Sequence, residues 1–340
     1  MTDYETVADN LLPAIAYGDA AGLPFEKKPP LEAYSITELH DTETNPFIGQ
    51  YPAGTWSDDT HLSIAVTKSL MEAEGFDIHS QAAWHVEALA HVKGAETDPD
   101  LIPPVVTDKR QNGWGKSTTQ SIERLEAGGD PRDSGNPGGA GNGVLMKLAP
   151  LLVWQFAHKT NAGQAERELI QLTYMTHRAP EAAVCSLVHG ALFDRLMADE
   201  VTPIEALASA YRDALDYEQD LDVEPVLSDM LRYLSIRAVA GTLARQDILD
   251  VTPKKGFYAP ETLAMVYGSF ALEPHFPYSV HRAVELGGDS DSVAAVVAPL
   301  SLAYQKHYTR PAEEHRITYL NRLHRLSMEF GDATFRARPQ

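Results

Sequence analysis

Apolar residues recur at the spacing of an α-helix along most of the chain. The segments with this spacing are residues 62–71, 82–92, 145–154, 169–175, 182–197, 204–215, 226–239, 263–272, 293–304 and 317–328. Few segments alternate with a period of two, and runs of β-branched residues bounded by turns are scarce. The pattern therefore predicts an all-α fold of about a dozen helices, arranged as one compact domain over residues 1–340.

Three long segments, residues 27–56, 94–112 and 128–143, interrupt the helical pattern. The first two are broken by prolines and the third is rich in glycine, so we expect no regular structure in residues 128–143. Structureless loops of this length in a compact domain are usually functional or disordered. Because each segment leads into a helix that carries a polar motif, we expect the three to line a site.

Composition narrows the classes of function. The net charge of −20, from 28 basic and 48 acidic residues, argues against a broad nucleic-acid-binding surface. An anionic small ligand would have to be bound locally, by helix N-termini, backbone amides or a metal. The single cysteine, Cys185, excludes an intramolecular disulfide and is expected to be buried. With no signal-peptide pattern and no apolar run long enough to span a bilayer, a soluble cytoplasmic protein without a membrane partner is expected.

Two short acidic motifs carry the strongest chemical signal. Residues 57–60 read Ser-Asp-Asp-Thr and residues 289–292 read Asp-Ser-Asp-Ser, each before a helical pattern. The simpler interpretation of either motif is capping of a helix N-terminus. Together they favour a shared cation, because four carboxylates in one place repel strongly unless a cation lies among them. An all-oxygen ligand set indicates Mg²⁺ or Mn²⁺, and a two-metal site would suit activation of water or orientation of vicinal oxygens.

Other motifs are weaker when considered alone. Glu26 ends the first helical segment at the root of a long loop, where it could be solvated or could reach into a cleft. Asp19 is better suited to holding backbone or the metal shell than to chemistry. Residues 113–119, Gly-Trp-Gly-Lys-Ser-Thr-Thr, could form a phosphate cradle, although they lack the Walker spacing. Trp114 could stack on a base or pack in the interior, and a lone His177 is more typical of a structural role.

In this order and spacing, the motifs resemble the ADP-ribosylglycohydrolase family, which includes the dinitrogenase reductase-activating glycohydrolases and ADP-ribosyl-acceptor hydrolases. The resembling segments are GDAAGLPFE (18–26), GTWSDDTHLSIA (54–65), GWGKSTT (113–119), GNGVLMKLAP (141–150), THRAPEAAV (176–184), GFYAPETL (256–263) and LGGDSDSVAAVVAPLSLAY (286–304). The two acidic motifs are the specific part of this set. The others gain weight only as an ordered series.

The resemblance implies an all-α fold around a cleft with a binuclear Mg²⁺ or Mn²⁺ centre at its base. By motif match, the metal ligands would be Ser57, Asp58, Asp59, Asp289, Asp291 and Ser292. Glu26 would match the loop glutamate near the metals. Substrate would contact Gly113, Trp114, Gly115, Lys116, Ser117, Asn142 and Gly143, with His177 near the ligand. Serine stands at positions 57, 290 and 292 where the family usually has threonine, and Lys147-Leu148 stands where Arg-Val is common.

The function that the resemblance implies is hydrolysis of an N- or O-glycosidic bond at the anomeric carbon of ADP-ribose. Asp58 or Asp59 could act as base, and Glu26 as acid or as a residue that repositions when substrate enters. The expected partner is an ADP-ribosylated protein or small molecule, and the chain is expected to act as a monomer. Two alternatives stay open: an Mg²⁺-dependent phosphohydrolase of a nucleotide or diphosphate, and a non-catalytic relative that binds ADP-ribose or is purely structural.

Overall fold

A computed structural model describes residues 3–31, 38–42, 49–99, 101 and 114–336 of the chain. The α-helices within these residues are α1 (Asp3–Asp9), α2 (Leu11–Gly22), α3 (Asp58–Glu72), α4 (Ile78–Val92), α5 (Lys116–Glu126), α6 (Ala149–Ala157), α7 (Ala162–Tyr174), α8 (Pro180–Met197), α9 (Pro203–Asp220), α10 (Val226–Val239), α11 (Arg245–Val251), α12 (Ala259–Leu272), α13 (Tyr278–Val284), α14 (Ser290–Gln305) and α15 (Leu320–Gly331). The predicted all-α fold is confirmed. The prediction of one domain over residues 1–340 stays a prediction.

Helices α2 and α14 lie at the centre of the molecule and are buried along nearly their whole length. Their contact is close because glycine occupies the facing positions of α2. A Cβ added at Gly18 would lie 2.4 Å from the carbonyl oxygen of Ala294, and one at Gly22 would lie 2.4 Å from the Cα of Asp291. Ordinary side chains at these positions would force the helices apart. This contact places the C-terminal end of α2 against the N-terminal end of α14.

Short elements of other kinds adjoin the helices. Strands β1 (Asn136–Pro137) and β2 (His177–Arg178) pair in parallel and have two residues each. The 3₁₀ helices span Leu23–Phe25, Asn142–Lys147 and Glu314–Arg316, and a final π-helical turn spans Asp332–Arg336. The prediction that residues 128–143 have no regular structure is therefore wrong at two points, because β1 and the start of a 3₁₀ helix fall within them. Both exceptions are held by tertiary contacts: the amide of Asn136 donates to Thr176, next to β2, and Asn142 bonds to Gly256.

The structure also bears on Cys185, on membrane-spanning helices and on the irregular segments. Cys185 is buried, as predicted. None of the described helices combines the length and apolar character needed to cross a bilayer. Much of the irregular segments 27–56 and 94–112 lies outside the described residues.

Candidate metal centre and substrate cleft

The first acidic motif forms the start of α3, and a carboxylate from α2 holds it in place. Ser57 is the N-cap residue of α3, and its hydroxyl bonds to the Asp59 carboxylate at 2.9 Å. The fully buried Asp19 accepts hydrogen bonds from the amide of Ser57 at 2.8–2.9 Å, the amide of Thr60 at 3.1 Å and the hydroxyl of Thr60 at 2.7 Å. Asp19 therefore satisfies amides that a helix N-terminus leaves without intrahelical partners. The capping interpretation holds for Ser57, and Asp19 adds a second cap from α2.

The second acidic motif follows a glycine pair that no other residues could replace without strain. Gly287 and Gly288 have φ values of +65° and +70°, in the left-handed region that favours glycine. A Cβ at Gly288 would lie 2.2 Å from the carbonyl oxygen of Lys255, and one at Gly287 would lie 2.7 Å from that of Lys28. We name this crossing of residues 27–29, 255 and 287–289 the glycine junction. It fixes the direction in which the chain enters α14.

The starts of α3 and α14 meet at the floor of a cleft. Carboxylate oxygens of Asp19, Asp59 and Asp291 lie within 4.8 Å of one another. Ser292 donates a 3.4 Å hydrogen bond to Asp59, which joins the two motifs directly. The side-chain amide of Asn142 donates to the carbonyl oxygen of Gly256 at 3.0 Å, which fixes the amide in place. It also donates to Asp289 at 2.8 Å and so orients this carboxylate.

Burial and mutual repulsion raise the pKa values of the clustered carboxyl groups. Burial raises the pKa of Asp19 to about 6 and, together with the charge of Glu26, raises that of Asp289 to about 7. The pKa values of Asp58, Asp59 and Asp291 are raised well above the usual range, first by burial and then by the neighbouring carboxylates. Carboxylates in such surroundings cannot all be ionised without a compensating positive charge.

The donor set fits divalent cations that prefer oxygen. Among the described residues, the buried Oδ1 atoms of Asp59 and Asp291 have no hydrogen-bond partner. A buried carboxylate oxygen without a donor is costly, and coordination of a cation would satisfy both atoms. The oxygens of Asp19 are already committed to four hydrogen bonds with the start of α3. We therefore assign Asp19 to support of the ligands, although its charge adds to the field at the site.

Above this floor the cleft has a volume of about 410 Å³ and combines three kinds of lining. One wall carries Glu26 and Lys27, whose side chains form a 3.0 Å ion pair. A second wall is the N-terminus of α5, where Gly115 is the N-cap residue without a side-chain cap and Thr119 makes the first backbone bond of the helix. The amides of residues 116–118 thus have no intrahelical partner, an arrangement that suits an anion. A third wall is formed by residues 141–143 together with the ring of His177.

Comparison with known proteins agrees with this arrangement. A family model described as ADP-ribosylglycohydrolase matches residues 5–305. The chain belongs to the ADP-ribosylglycohydrolase family. It is 26% identical over 298 residues to an uncharacterised protein of Archaeoglobus fulgidus, with 84% of each chain covered. It is 24% identical over 331 residues to ADP-ribosylarginine hydrolase Tri1 of Pseudomonas putida, covering 96% of this chain and 78% of the relative.

A solved structure of an ADP-ribosylglycohydrolase-related protein complex has the same fold. It superposes with a TM-score of 0.71 at 24% identity and covers 98% of this chain and 100% of its own. The chain is therefore a member of a hydrolase family, and the all-α fold expected for an ADP-ribosylglycohydrolase is present. The roles of individual residues stay predictions.

In the structure most of the predicted site residues converge on the cleft. The residues brought to the cleft are Glu26, Asp58, Asp59, Trp114, Gly115, Lys116, Ser117, Asn142, Gly143, His177, Asp289, Asp291 and Ser292. Ser57 lies beneath them at the start of α3, and Gly113 lies outside the described residues. Ser290, one of the three unusual serines, does not face the cleft: its hydroxyl donates to the carbonyl oxygen of Gly22 at 2.9 Å. Serine at position 290 therefore affects helix packing rather than the ligand set.

Sequence reasoning left several lining residues unassigned. Thr118 and Phe257 line the cleft, and both lie inside motifs that had been recognised but not resolved into individual roles. Lys27 follows Glu26 directly, so the ion pair between them could have been predicted from the sequence. Asp19 was expected to hold backbone or the metal shell, but its partners at the start of α3 could not be identified from sequence, because they depend on the packing of α2 against α3.

Proposed function

We propose that this chain is a metal-dependent hydrolase that releases ADP-ribose from an arginine side chain. The observation that supports it most is the convergence of both acidic motifs, on α3 and α14, below an anion-binding helix N-terminus on α5. A diphosphate fits the free amides of α5, and a ribose fits the oxygen-rich floor. Arginine is the first linkage to test because a relative covering nearly the whole chain is an ADP-ribosylarginine hydrolase.

Two Mg²⁺ or Mn²⁺ ions would be held by Ser57, Asp58, Asp59, Asp289, Asp291 and Ser292. When bound, such ions would neutralise the carboxylates and favour orientation of ribose hydroxyls and of water. Asn142 would hold Asp289 in the orientation seen here, through the 2.8 Å hydrogen bond between them. Asp19 would keep the start of α3 in place through its contacts with Ser57 and Thr60.

The protein groups that would move protons are Asp58 and Glu26. The Asp59 carboxylate already accepts bonds from Ser57 and Ser292, whereas Asp58 lines the cleft beside Glu26. Burial raises the pKa of Glu26 against the opposing effect of Lys27, which favours its protonated form as a general acid. The pKa of Asp58 is raised as well, so Asp58 would act as a base only where bound cations compensate the carboxylate cluster. In the proposed reaction Asp58 takes a proton from water, the water oxygen bonds to the anomeric carbon, and the bond to the arginine nitrogen breaks. Glu26 supplies the proton to the leaving nitrogen, so the products are free ADP-ribose and arginine.

The test is release of ADP-ribose from a peptide ADP-ribosylated on arginine, followed by chromatography with Mn²⁺, with Mg²⁺ and with a chelator. Peptides carrying the modification on serine or on other acceptors complete the panel. We expect release only with a divalent cation and fastest from the arginine peptide. Asp58→Asn and Asp291→Asn should each lower kcat by a factor of about 100 or more. The control is Asp229→Asn, whose exposed carboxylate pairs with Arg232 one turn away on α10.

Each alternative has its own result. Undiminished activity in both cleft variants would overturn the metal-centre assignment. Release of AMP or phosphate in place of ADP-ribose would indicate a phosphohydrolase. Thermal stabilisation by ADP-ribose and metal without turnover on any linkage would indicate a protein that only binds this ligand.

A further inference from the structure

A buried lysine lies behind the wall of the cleft that His177 forms. Lys147, at the end of the 3₁₀ helix Asn142–Lys147, is fully buried, and no described carboxylate pairs with it. Its amine contacts the hydroxyl of Thr176 at 2.9 Å and Nε2 of His85 at 3.3 Å. Burial lowers the pKa of Lys147 to about 7. Burial of a charged lysine without a carboxylate partner is energetically unfavourable, so its hydrogen bonds must compensate for the lost hydration.

The direction of every hydrogen bond in this cluster follows from its two ends. His85 Nδ1 lies 2.7 Å from the carbonyl oxygen of Gln81, which can only accept, so Nδ1 carries the proton. Nε2 of His85 is then an acceptor and takes a hydrogen from Lys147. The lysine directs another hydrogen to the oxygen of Thr176. As the ammonium ion, the form expected below the pKa of about 7, Lys147 has no lone pair and donates in both contacts.

The hydroxyl of Thr176 links Lys147 to His177, which lines the cleft. When Lys147 is an ammonium ion, the hydroxyl oxygen of Thr176 accepts from it and lies 3.0 Å from Nδ1 of His177, which is then the one acceptor for the hydroxyl proton found among the described residues. If Nδ1 carried a proton instead, the buried hydroxyl would have no acceptor, and the loss of its hydration would be uncompensated. The hydroxyl therefore donates to Nδ1. In a neutral imidazole the proton must then be on Nε2.

The ring of His177 is neutral and directs its Nε2 edge toward the cleft. Burial, reinforced by the charge of Lys147, lowers the pKa of His177 to about 3. A Cβ added at Gly143 would lie 3.4 Å from Nε2 and 2.9 Å from the hydroxyl of Thr118, so this edge faces the loop beside the first turn of α5. Lys116, Ser117 and Thr118, in the first turn of α5, line the same cleft as His177.

We propose that Lys147 is a positioning residue that, through Thr176, holds His177 as the Nε2–H tautomer and so makes it a fixed donor to an anionic oxygen of the ligand. The proposal rests on the proposed function for the nature of that ligand, the diphosphate of ADP-ribose. The tautomer itself is a property of the protein without ligand. A fixed neutral donor recognises an oxygen acceptor without adding a charge that would depend on pH.

The first measurement is made on the unliganded protein labelled with ¹⁵N in histidine. The signals of His177 are identified by comparison with His177→Gln, and the chemical shifts of its two ring nitrogens report which one is protonated. At pH 6, where Lys147 is mostly an ammonium ion and His177 is neutral, we expect Nε2 protonated and Nδ1 unprotonated in the native protein and in Thr176→Ser, which keeps the hydroxyl. In Thr176→Val and Lys147→Met we expect both tautomers to be populated. Protonated Nδ1 in the native protein, or an unchanged tautomer in both variants, would overturn the proposal.

The second measurement is the affinity of ADP-ribose by calorimetry in the presence of Mn²⁺. Thr176→Val should weaken binding by a factor of about 3 to 10, as expected for one lost hydrogen bond. Thr176→Ser keeps the hydroxyl and should retain native affinity. If residue 176 acted only through packing, Thr176→Ser, which loses a methyl group, should also weaken binding. A changed tautomer with unchanged affinity in Thr176→Val would overturn the assignment of His177 as a ligand donor.

The two proposals fail in different ways. If the native protein has the expected tautomer but does not bind ADP-ribose, the proposed function fails while the hydrogen-bond chain from Lys147 to His177 stands. If ADP-ribose binds and is released from peptides but Nδ1 is protonated, the chain fails and the proposed function stands. The native spectrum decides the tautomer even where a variant does not fold.

Discussion

Replacement of Gly22 by alanine tests whether the contact between α2 and α14 positions the metal centre. The added methyl group would lie 2.4 Å from the backbone nitrogen and Cα of Asp291 and from the carbonyl oxygen of Ser290. All three are backbone atoms at the first turn of α14, so no flexible side chain can move aside. The residue that would be displaced is the helix start that carries Asp291 and Ser292.

The size of the displacement follows from this geometry. Ordinary contacts of a Cβ begin at 3.4 Å, so relief of a 2.4 Å contact requires the two backbones to separate by about 1 Å. Overpacking of this kind costs typically 1–3 kcal/mol, against a gain of up to about 1 kcal/mol from replacing glycine within a helix. We expect a net loss of about 1 kcal/mol and a Tm lower by about 2 °C. A misplacement of about 1 Å at a catalytic centre lowers turnover by about 100-fold.

The assay measures Tm and ADP-ribose release for Gly22→Ala beside Gly163→Ala. Gly163, in the first turn of α7, would place its Cβ no closer than 3.5 Å to the side chain of Arg167, so alanine fits there. This control should keep native activity and equal or slightly higher stability. Gly22→Ala with the Tm and turnover of the control would refute the claim that close packing of α2 on α14 sets the ligand geometry.

Three further results are expected. Asp19→Asn replaces an acceptor with a donor facing the amides at the start of α3, and urea denaturation should show a loss of about 2–3 kcal/mol; native stability would contradict the double cap. Glu26→Gln should lower kcat by about 100-fold or more while ADP-ribose affinity in calorimetry changes little, and the reverse result would assign Glu26 to binding. In chelator, Tm should rise as the pH falls from 7.5 to 5. The folded-state pKa of Asp289, at about 7, lies above its unfolded value, so its destabilising effect is full above pH 7 and is relieved by protonation. This rise should be smaller in Asp289→Asn and in saturating Mn²⁺, and an equal rise in all three samples would contradict it.

The helical pattern predicted the fold class because most helices here bury one face or nearly all of their surface. The periodic segment 226–239 coincides with α10, whereas α11 and α13 escaped notice since seven residues are too few to show a period. The segment 317–328 was shifted, because Tyr319 takes a left-handed conformation and α15 begins only at Leu320. Boundaries of this kind depend on single backbone angles that the pattern of apolar residues does not encode.

The candidate site was predictable to the extent that its residues form local motifs. Each acidic motif is contiguous with its helix, so its position at a helix N-terminus could be expected from sequence alone. The expectation that Asp19 holds backbone agrees with the structure, but its partners Ser57 and Thr60, at least 38 positions away, could not be identified from sequence. The role of Lys147 could not be predicted, since it acts through residues at least 29 positions away in the chain. Ser290 shows the opposite error: its motif suggested the site, while the packing of α14 on α2 turned its hydroxyl to Gly22.

The glycine junction limits how the chain around the cleft can vary among related sequences. The amide of Lys27 donates to Gly288 at 2.6 Å, that of Gly288 donates to Lys28 at 2.9 Å, and that of Asp289 donates to Lys255 at 2.9 Å. These links involve only main-chain atoms, so many side chains fit at positions 27, 28 and 255, whereas an inserted or deleted residue would break the links. Proline and β-branched residues are disfavoured at positions 27 and 255, where φ is +63° and +59°. Related sequences with new acceptor preferences should therefore vary in residue type along this rim while keeping its length.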